Sequence, residues 1–370
     1  MEKNNIKVGL LTFHRAENYG AILQAYALKE YLSTMGMTVT LIDLRCKSIE
    51  RNYHMFNPSI LWSRKNIIVS VKTYLNRYLN IRDRLIKKTK FKAFLKNHFH
   101  MTASMVSLSK VKNFDAVVVG SDQVWNLHMT KTQYRSYFLD DIDDRVLKVA
   151  YAASSEASSL KLIQDHACLI SDCLDRFHAV SVRESFLKNC LQKYTDNDIK
   201  LCLDPTFLLD GKDYQRIALL PGNSGYILIY HVGYSGKCVE LAENLARLNG
   251  CGIVEVFSGY SRHKDDQRYK NNLGIEDVIG YFINAGLVIT TSFHGLALSV
   301  IFRKNFWIID KENNERQRNL LQKLGLSGRL VNSIDAVSYE DVIDYNEVYK
   351  VLEPLRQGSQ DYLRTSLHTA

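Results

Sequence analysis

Leu287 to Val300 reads LVITTSFHGLALSV. An apolar run of strand length gives way to Thr291-Ser292-Phe293-His294-Gly295, and an apolar pattern of helical spacing follows. A buried strand passing through a tight turn into a helix is the repeating unit of a parallel sheet covered on both faces. In open sheets of this kind ligands sit beyond the carboxyl ends of the strands, so His294 is placed where a ligand would bind. Gly295 lets the backbone turn sharply, and the unpaired N–H groups at the helix start attract an anion.

The same alternation extends outward in both directions. SGYILIYHVG (224–233), GIVEVFS (252–258) and NFWIID (305–310) read as strands, and KCVELAENLARLNG (237–250) and GIEDVIGYFINAG (274–286) as helices. An earlier series begins with IKVGLLTF (6–13), a helix ending near Gly36 and TVTLID (38–43). It continues with FDAVVVG (114–120), VLKVAYAAS (146–154), AVSVRE (179–184) and IKLCLDPTFLL (199–209). The fold class expected is therefore α/β, with two Rossmann-like domains facing across a cleft. The expected boundaries are 1–205 for an N-terminal, acceptor-side domain carrying a basic helical insertion at 51–100, and 206–344 for a C-terminal, donor-side domain. Residues 345–370 read as a helix packing back on the first domain.

Length supports two cores, because 370 residues exceed the roughly 100 to 200 typical of one domain. The opening MEKNNIKVGLLTF lacks the apolar length and cleavage site of a signal peptide, and no run approaches the roughly 20 apolar residues of a membrane span. The expected location is cytoplasmic, at most peripheral at the inner face of the membrane. Seven cysteines, an odd number, argue for reduced thiols. Cys168 and Cys173, flanked by His166 and His178, would point about 140° apart on a helix and so share no zinc, which leaves buried thiols and no metal site. The net charge of +9 is concentrated: Arg51–His100 holds twelve Lys and Arg against Asp83, a net of +11, so all other residues sum to 9 − 11 = −2. Within that segment Val71, Tyr74, Tyr78, Ile81 and Leu85 form an apolar stripe bordered by cations. A core-packed helix with a solvated basic back is the first reading of it. A peripheral contact with an anionic membrane through 64–98 is the second, and nucleic acid ranks below both.

Several polar clusters follow the strands. FHRAENYG (13–20) offers His14, Arg15, Asn18, Tyr19 and the Gly20 turn, a candidate phosphate nest. GSDQVWN (120–126) offers Ser121, Asp122, Trp125 and Asn126, where Asp122 could take a proton from a hydroxyl and the indole of Trp125 could face a sugar ring. The opposing reading has Asp122 capping a helix and Trp125 packed in the core. Arg183 and Arg316 are candidate clamps for carboxylate or phosphate.

Taken together, NYGAILQAYAL, FDAVVVGSDQVWN, VAYAAS, SVRE, LDPTFLL, TTSFHGLALSV and ERQRNLLQKLGL resemble the polysaccharide pyruvyl transferase family, in family order from residue 7 to about 330. The resemblance implies a GT-B-like pair of Rossmann-type domains and transfer of a pyruvyl group from phosphoenolpyruvate to a sugar, forming a ketal and releasing phosphate. No cofactor is implied beyond this co-substrate; the partners are phosphoenolpyruvate and a sugar acceptor, commonly lipid-linked. His294 matches the family's histidine and would protonate the donor methylene, with Asp122 as the second catalytic candidate. Arg183 matches an arginine associated with donor binding, joined on the donor side by Ser292, Gly295, Arg316, Asn18 and Gly20. Ser121, Trp125 and Tyr19 are assigned to the acceptor. Many members carry Ser-Arg-Phe-His-Gly where this chain has Ser292-Phe293-His294 with no arginine, and Arg316 is the candidate replacement. The rival readings are a GT-B glycosyltransferase with a nucleotide-sugar donor and a non-catalytic saccharide-binding protein. Residues 295–305 contain no Asp or Glu to hold a donor ribose, which weighs against the first.

Overall fold

The computed structural model describes residues 6–53, 80–258, 267–310, 315–332 and 337–367. The chain divides into two compact units. Residues up to Tyr53, Lys96–Leu209 and Glu353 onward form the first; residues up to Leu95 from the insertion and Asp210–Leu352 form the second.

The first unit holds a parallel sheet of β1 (Lys7–Leu11), β2 (Thr38–Leu41), β3 (His100–Met101), β4 (Ala116–Val119), β5 (Leu147–Ala153), β6 (Ala179–Val182) and β7 (Lys200–Leu201). Its order is β3-β2-β1-β4-β5-β6-β7. Every residue of β4 is buried, so Val117 and Val119 pack on one face and Ala116 and Val118 on the other. That is why the strand shows no alternation in sequence. Helix α1 (Tyr19–Thr34) is apolar nearly all round and is correspondingly enclosed, from Tyr19 to Leu28 without an exposed residue.

The second unit repeats the plan. Strands β8 (Ile227–His231), β9 (Ile253–Phe257), β10 (Tyr269–Lys270), β11 (Leu287–Thr290), β12 (Asn305–Ile309) and β13 (Leu330–Val331) form a parallel sheet in the order β10-β9-β8-β11-β12-β13. In each unit the strand order reverses once, at β1/β4 and at β8/β11, the position where Rossmann-type sheets open a ligand crevice. Both units are Rossmann-like, as the alternation in the sequence requires.

Three expectations are revised. The helix α2 (Ile81–His98) was expected within the first domain, but residues up to Leu95 group with the second unit. The reason is specific: buried Lys87 donates to the carbonyls of Phe257 and Ser258 at 3.2 and 2.6 Å, and Lys90 pairs with Asp277 at 2.7 Å. Those lysines are therefore tied to protein and are not offered to a membrane. Val71, Tyr74 and Tyr78 of the expected stripe, and residues 64–79 of the expected contact, lie outside the described residues. The first unit also runs on to Leu209 instead of ending at 205. Finally, burial pushes the Cys173 thiol up to about 11, but Cys168 is exposed rather than buried.

Candidate active site

In the second unit the sequence around His294 folds as a strand, a two-residue loop and a helix. Thr290, the last residue of β11, donates its hydroxyl to Tyr230 O on the neighbouring strand at 2.7 Å and accepts from Ser292 N at 3.0 Å. Ser292 then caps α3 (Phe293–Ile301), accepting from Gly295 N at 3.4 Å. A Cβ on Gly295 would lie 2.6 Å from Thr290 Oγ1, so only glycine lets the helix start this close to the strand it leaves. His294 is half-buried in the first turn of this helix, at the β8/β11 switch point. Gln317 on α4 (Glu315–Lys323) donates to Thr291 O at 3.1 Å, which fastens that helix beside the loop. Arg316, its neighbour, is half-buried on the same helix.

The first unit's switch point is braced by buried side chains. Thr12, just past β1, donates to Ser121 O at 3.1 Å; Gln24 donates to Thr12 Oγ1 at 2.8 Å and accepts from Ser121 N at 3.0 Å. Asp122 occupies the left-handed region with φ +65° and accepts from Gln123 N at 2.9 Å. A non-glycine residue held there costs of order 1 to 3 kcal/mol, and such strain gathers at functional sites. Its carbonyl also accepts from Ser154 N at 3.0 Å, which joins the end of β4 to the end of β5.

Several candidates do not serve the roles expected of them. Arg183 is buried and already matched: Nε meets Glu184 Oε1 at 3.0 Å, Nη2 donates to Ser154 Oγ at 2.8 Å, and Nη1 pairs with Asp204. Burial alone would lower its pKa, but the charges of Glu184, Asp204 and Asp122 outweigh that and hold it above the ordinary arginine value. One guanidinium thus stands among three carboxylates, an unfavourable place for an anionic donor. Trp125 is wholly buried, stacked on Phe138 with centroids 4.8 Å apart, and its indole N–H is taken by Tyr137 O at 2.9 Å. It cannot present a face to a sugar. Ser121, fully enclosed, gives its hydroxyl to Ala152 O at 2.6 Å, and Tyr19 is enclosed at the head of α1. Asn18 caps α1, accepting from Gly20 N at 2.9 Å, so Asn18 and Gly20 shape that turn. The other polar residues of the expected nest also face inward, since buried His14 and half-buried Arg15 both hold Asp43, at 2.7 and 2.6 Å. Among the described residues no group of three or more His, Cys, Asp or Glu is placed to hold a metal ion.

The sequence model of the family described as polysaccharide pyruvyl transferase matches residues 18–313. The chain belongs to that family. This polysaccharide pyruvyl transferase family member is accordingly a transferase, and the matched span includes Asn18, Asp122, Arg183, His231 and His294. No curated protein sequence matches the chain. Among solved structures it is similar to UDP-GlcNAc 2-epimerase from Neisseria meningitidis bound to UDP-GlcNAc, with 9% identity and a TM-score of 0.46 over 98% of this chain and 94% of that one. It is also similar to an alpha-glucosyltransferase in complex with UDP and a 13-mer DNA, with 10% identity and a TM-score of 0.49 over 97% and 95%.

Two groups of the family member's residues were not singled out from sequence. Gln24 is a polar residue inside the apolar run GAILQAYAL, and Glu255 is a lone acid in the strand IVEVF. A polar group set in an otherwise enclosed element must find partners, and that was the available signal. Glu255 finds His231 at 3.0 Å and Arg268 at 2.7 Å, beside the second unit's switch point.

Proposed function

We propose that the protein transfers a pyruvyl group from phosphoenolpyruvate to two hydroxyls of one sugar of a polysaccharide or lipid-linked precursor, forming a ketal and releasing phosphate. The observation that carries this reading is the position of His294, held in the first turn of α3 behind a loop locked by Thr290, Ser292 and Gly295. A helix start favours an anion, and an imidazole at the same point can hand over a proton.

In the reaction His294 gives a proton to the donor's methylene carbon, and the adjacent carbon becomes electrophilic. A sugar hydroxyl bonds to that carbon and surrenders its proton to a base. The second hydroxyl then bonds to the same carbon as the C–O bond to phosphate breaks, the electron pair leaves with phosphate, and phosphate takes the second hydroxyl proton. Donor binding is assigned to the second unit, through His294, Ser292, Gly295 and Arg316. Asp122 is the base in this assignment, on the strength of its strained position at the β1/β4 switch point. Neither Asn18 nor Gly20 is needed for the donor.

Calorimetric titration with phosphoenolpyruvate, beside a phosphate-release assay with saccharide acceptors, tests the reading. Wild type should bind the donor and release phosphate. His294→Ala should lose phosphate release by at least roughly a hundredfold, the usual worth of a positioned proton donor, while staying folded. Binding of a nucleotide sugar with no binding of phosphoenolpyruvate would replace this reading by glycosyl transfer.

A further inference from the structure

Three rings stand in file behind the loop that follows β8. His231, the last residue of that strand, lies between Phe257 and Tyr234, with ring centroids 4.6 and 5.7 Å away and planes 16° and 19° from parallel. The imidazole is 2% exposed and is held by its edge, since Nε2 stands 3.0 Å from Glu255 Oε2. Arg268 Nε holds the other carboxylate oxygen at 2.7 Å, and its second arm reaches Glu243 at 2.8 Å. Burial alone would raise the pKa of Glu255, but the hydrogen bonds from His231 and Arg268 outweigh it and hold the group below its ordinary value. The carboxylate is therefore charged, and it fixes the ring that it grips.

Tyr234 ends the file. It is 67% exposed, and Val232, two residues before it, is 48% exposed. One face of the tyrosine is thus backed by rigid, buried rings while the side chain as a whole stays open to solvent. This occurs at the carboxyl end of β8, the strand at which the order of the second sheet reverses, where ligands of such sheets bind. A flat aromatic face preset in one orientation loses little freedom when a partner settles on it. The apolar C–H face of a pyranose is a suitable partner for it, and the tyrosine hydroxyl can meet the sugar's polar rim.

We propose that Tyr234, backed by His231 and Phe257, is a stacking platform for a pyranose ring of the saccharide substrate. This rests on the saccharide half of the reading above and does not depend on the donor. Phe257, His231 and Glu255 act through Tyr234 and are positioning residues.

The test is saturation-transfer NMR with methyl glycosides of galactose, glucose, mannose and N-acetylmannosamine, together with the fluorescence of a Tyr234→Trp reporter. Wild type should saturate the C–H protons of one sugar face for at least one glycoside, and the reporter should respond to the same sugar. Tyr234→Ala should bind that sugar roughly two- to tenfold more weakly, as expected for loss of one aromatic contact, whereas Tyr234→Phe should retain it. Because Tyr234 is exposed, the melting temperature should hardly move in either variant. An unchanged affinity in Tyr234→Ala overturns the platform, as does the absence of glycoside binding by wild type. A reporter that answers UDP and none of the glycosides makes the occupant a nucleotide base and overturns it equally. Phosphate release from phosphoenolpyruvate by wild type is followed separately, so that failure of the donor reading leaves a distinct signature.

Discussion

Arg183, Trp125 and Asp43 show how much a single side chain's role depends on what surrounds it. Arg183 offers the two-pronged charge of an anion clamp, but in the fold it neutralises Glu184 and Asp204. Arg183→Ala should therefore act first on stability, costing about 3 to 5 kcal/mol in urea denaturation because buried carboxylates lose their cation. Trp125→Ala should cost a similar ~3 to 5 kcal/mol for the loss of a large enclosed ring. A variant of either kind that keeps wild-type stability while losing substrate affinity would contradict this placement. Asp43 carries a pH dependence of known sign. Burial alone would raise its pKa, but hydrogen bonds from His14 and Arg15 outweigh it and hold the group well below the carboxylate range. The stability this provides is full at neutral pH and is lost as pH falls below the unfolded value near 4, toward the depressed folded value. Asp43→Asn should flatten the acid limb of the stability–pH curve, and a limb of unchanged steepness would remove Asp43 as its source. His294 was legible in the sequence because its place follows from local chain grammar. For Trp125 the sequence left a sugar-facing and a core-packed role side by side, and the core-packed one holds through the rings of Phe138 and Phe177, which belong to separate segments.

Among the elements, α2 is the clearest case of a pattern with two solutions. Its cations suit an anionic surface, yet Arg84 and Lys87 are buried and Lys90 is paired. Arg82, Lys92 and Lys96 remain exposed, at three- to four-residue steps with exposed Leu85, Thr89 and Ala93 on one face. Lys87→Ala should cost about 1 to 3 kcal/mol, because the carbonyls of Phe257 and Ser258 lose their donor. Charge reversal at Arg82, Lys92 and Lys96 together should leave stability within about 0.5 kcal/mol and lower sedimentation with phosphatidylglycerol vesicles. Vesicle binding that survives the triple reversal would end the case for a membrane contact through this face. No helix among the described residues is long and apolar enough to cross a membrane. The strands were legible for the opposite reason: with both faces covered, β4, β8 and β11 are buried throughout and almost wholly apolar, polar only at the closing His231 and Thr290, and admit few alternatives.

For the molecule as a whole, the path of the chain matters as much as its elements. Helix α5 (Tyr345–Leu367) begins in the second unit, where Tyr345 donates to Lys304 O at 2.6 Å, and residues from Glu353 belong to the first. There Arg356 Nε donates to Phe207 O at 2.7 Å, Tyr362 donates to Ala150 O at 2.9 Å, and Leu363 and Leu367 are wholly buried. Removing residues 353–370 should destabilise the first unit, since the two leucines alone contribute about 3 to 6 kcal/mol of burial. Proteolysis should then cut the first unit while the second resists, and equal resistance of both would contradict this role for the helix. The order of strands and helices, the two Rossmann-like units and the loops at the strand ends were all written in the periodicity of LVITTSFHGLALSV and its counterparts, because a strand–turn–helix unit is specified by neighbours within a dozen residues. Which polar and aromatic side chains in those loops remain open was settled by packing between distant segments. Asp204 disarms Arg183 from 21 residues away, and Glu255 secures His231 from 24. Charge compensation and burial are properties of the assembled surroundings, which no local spacing encodes.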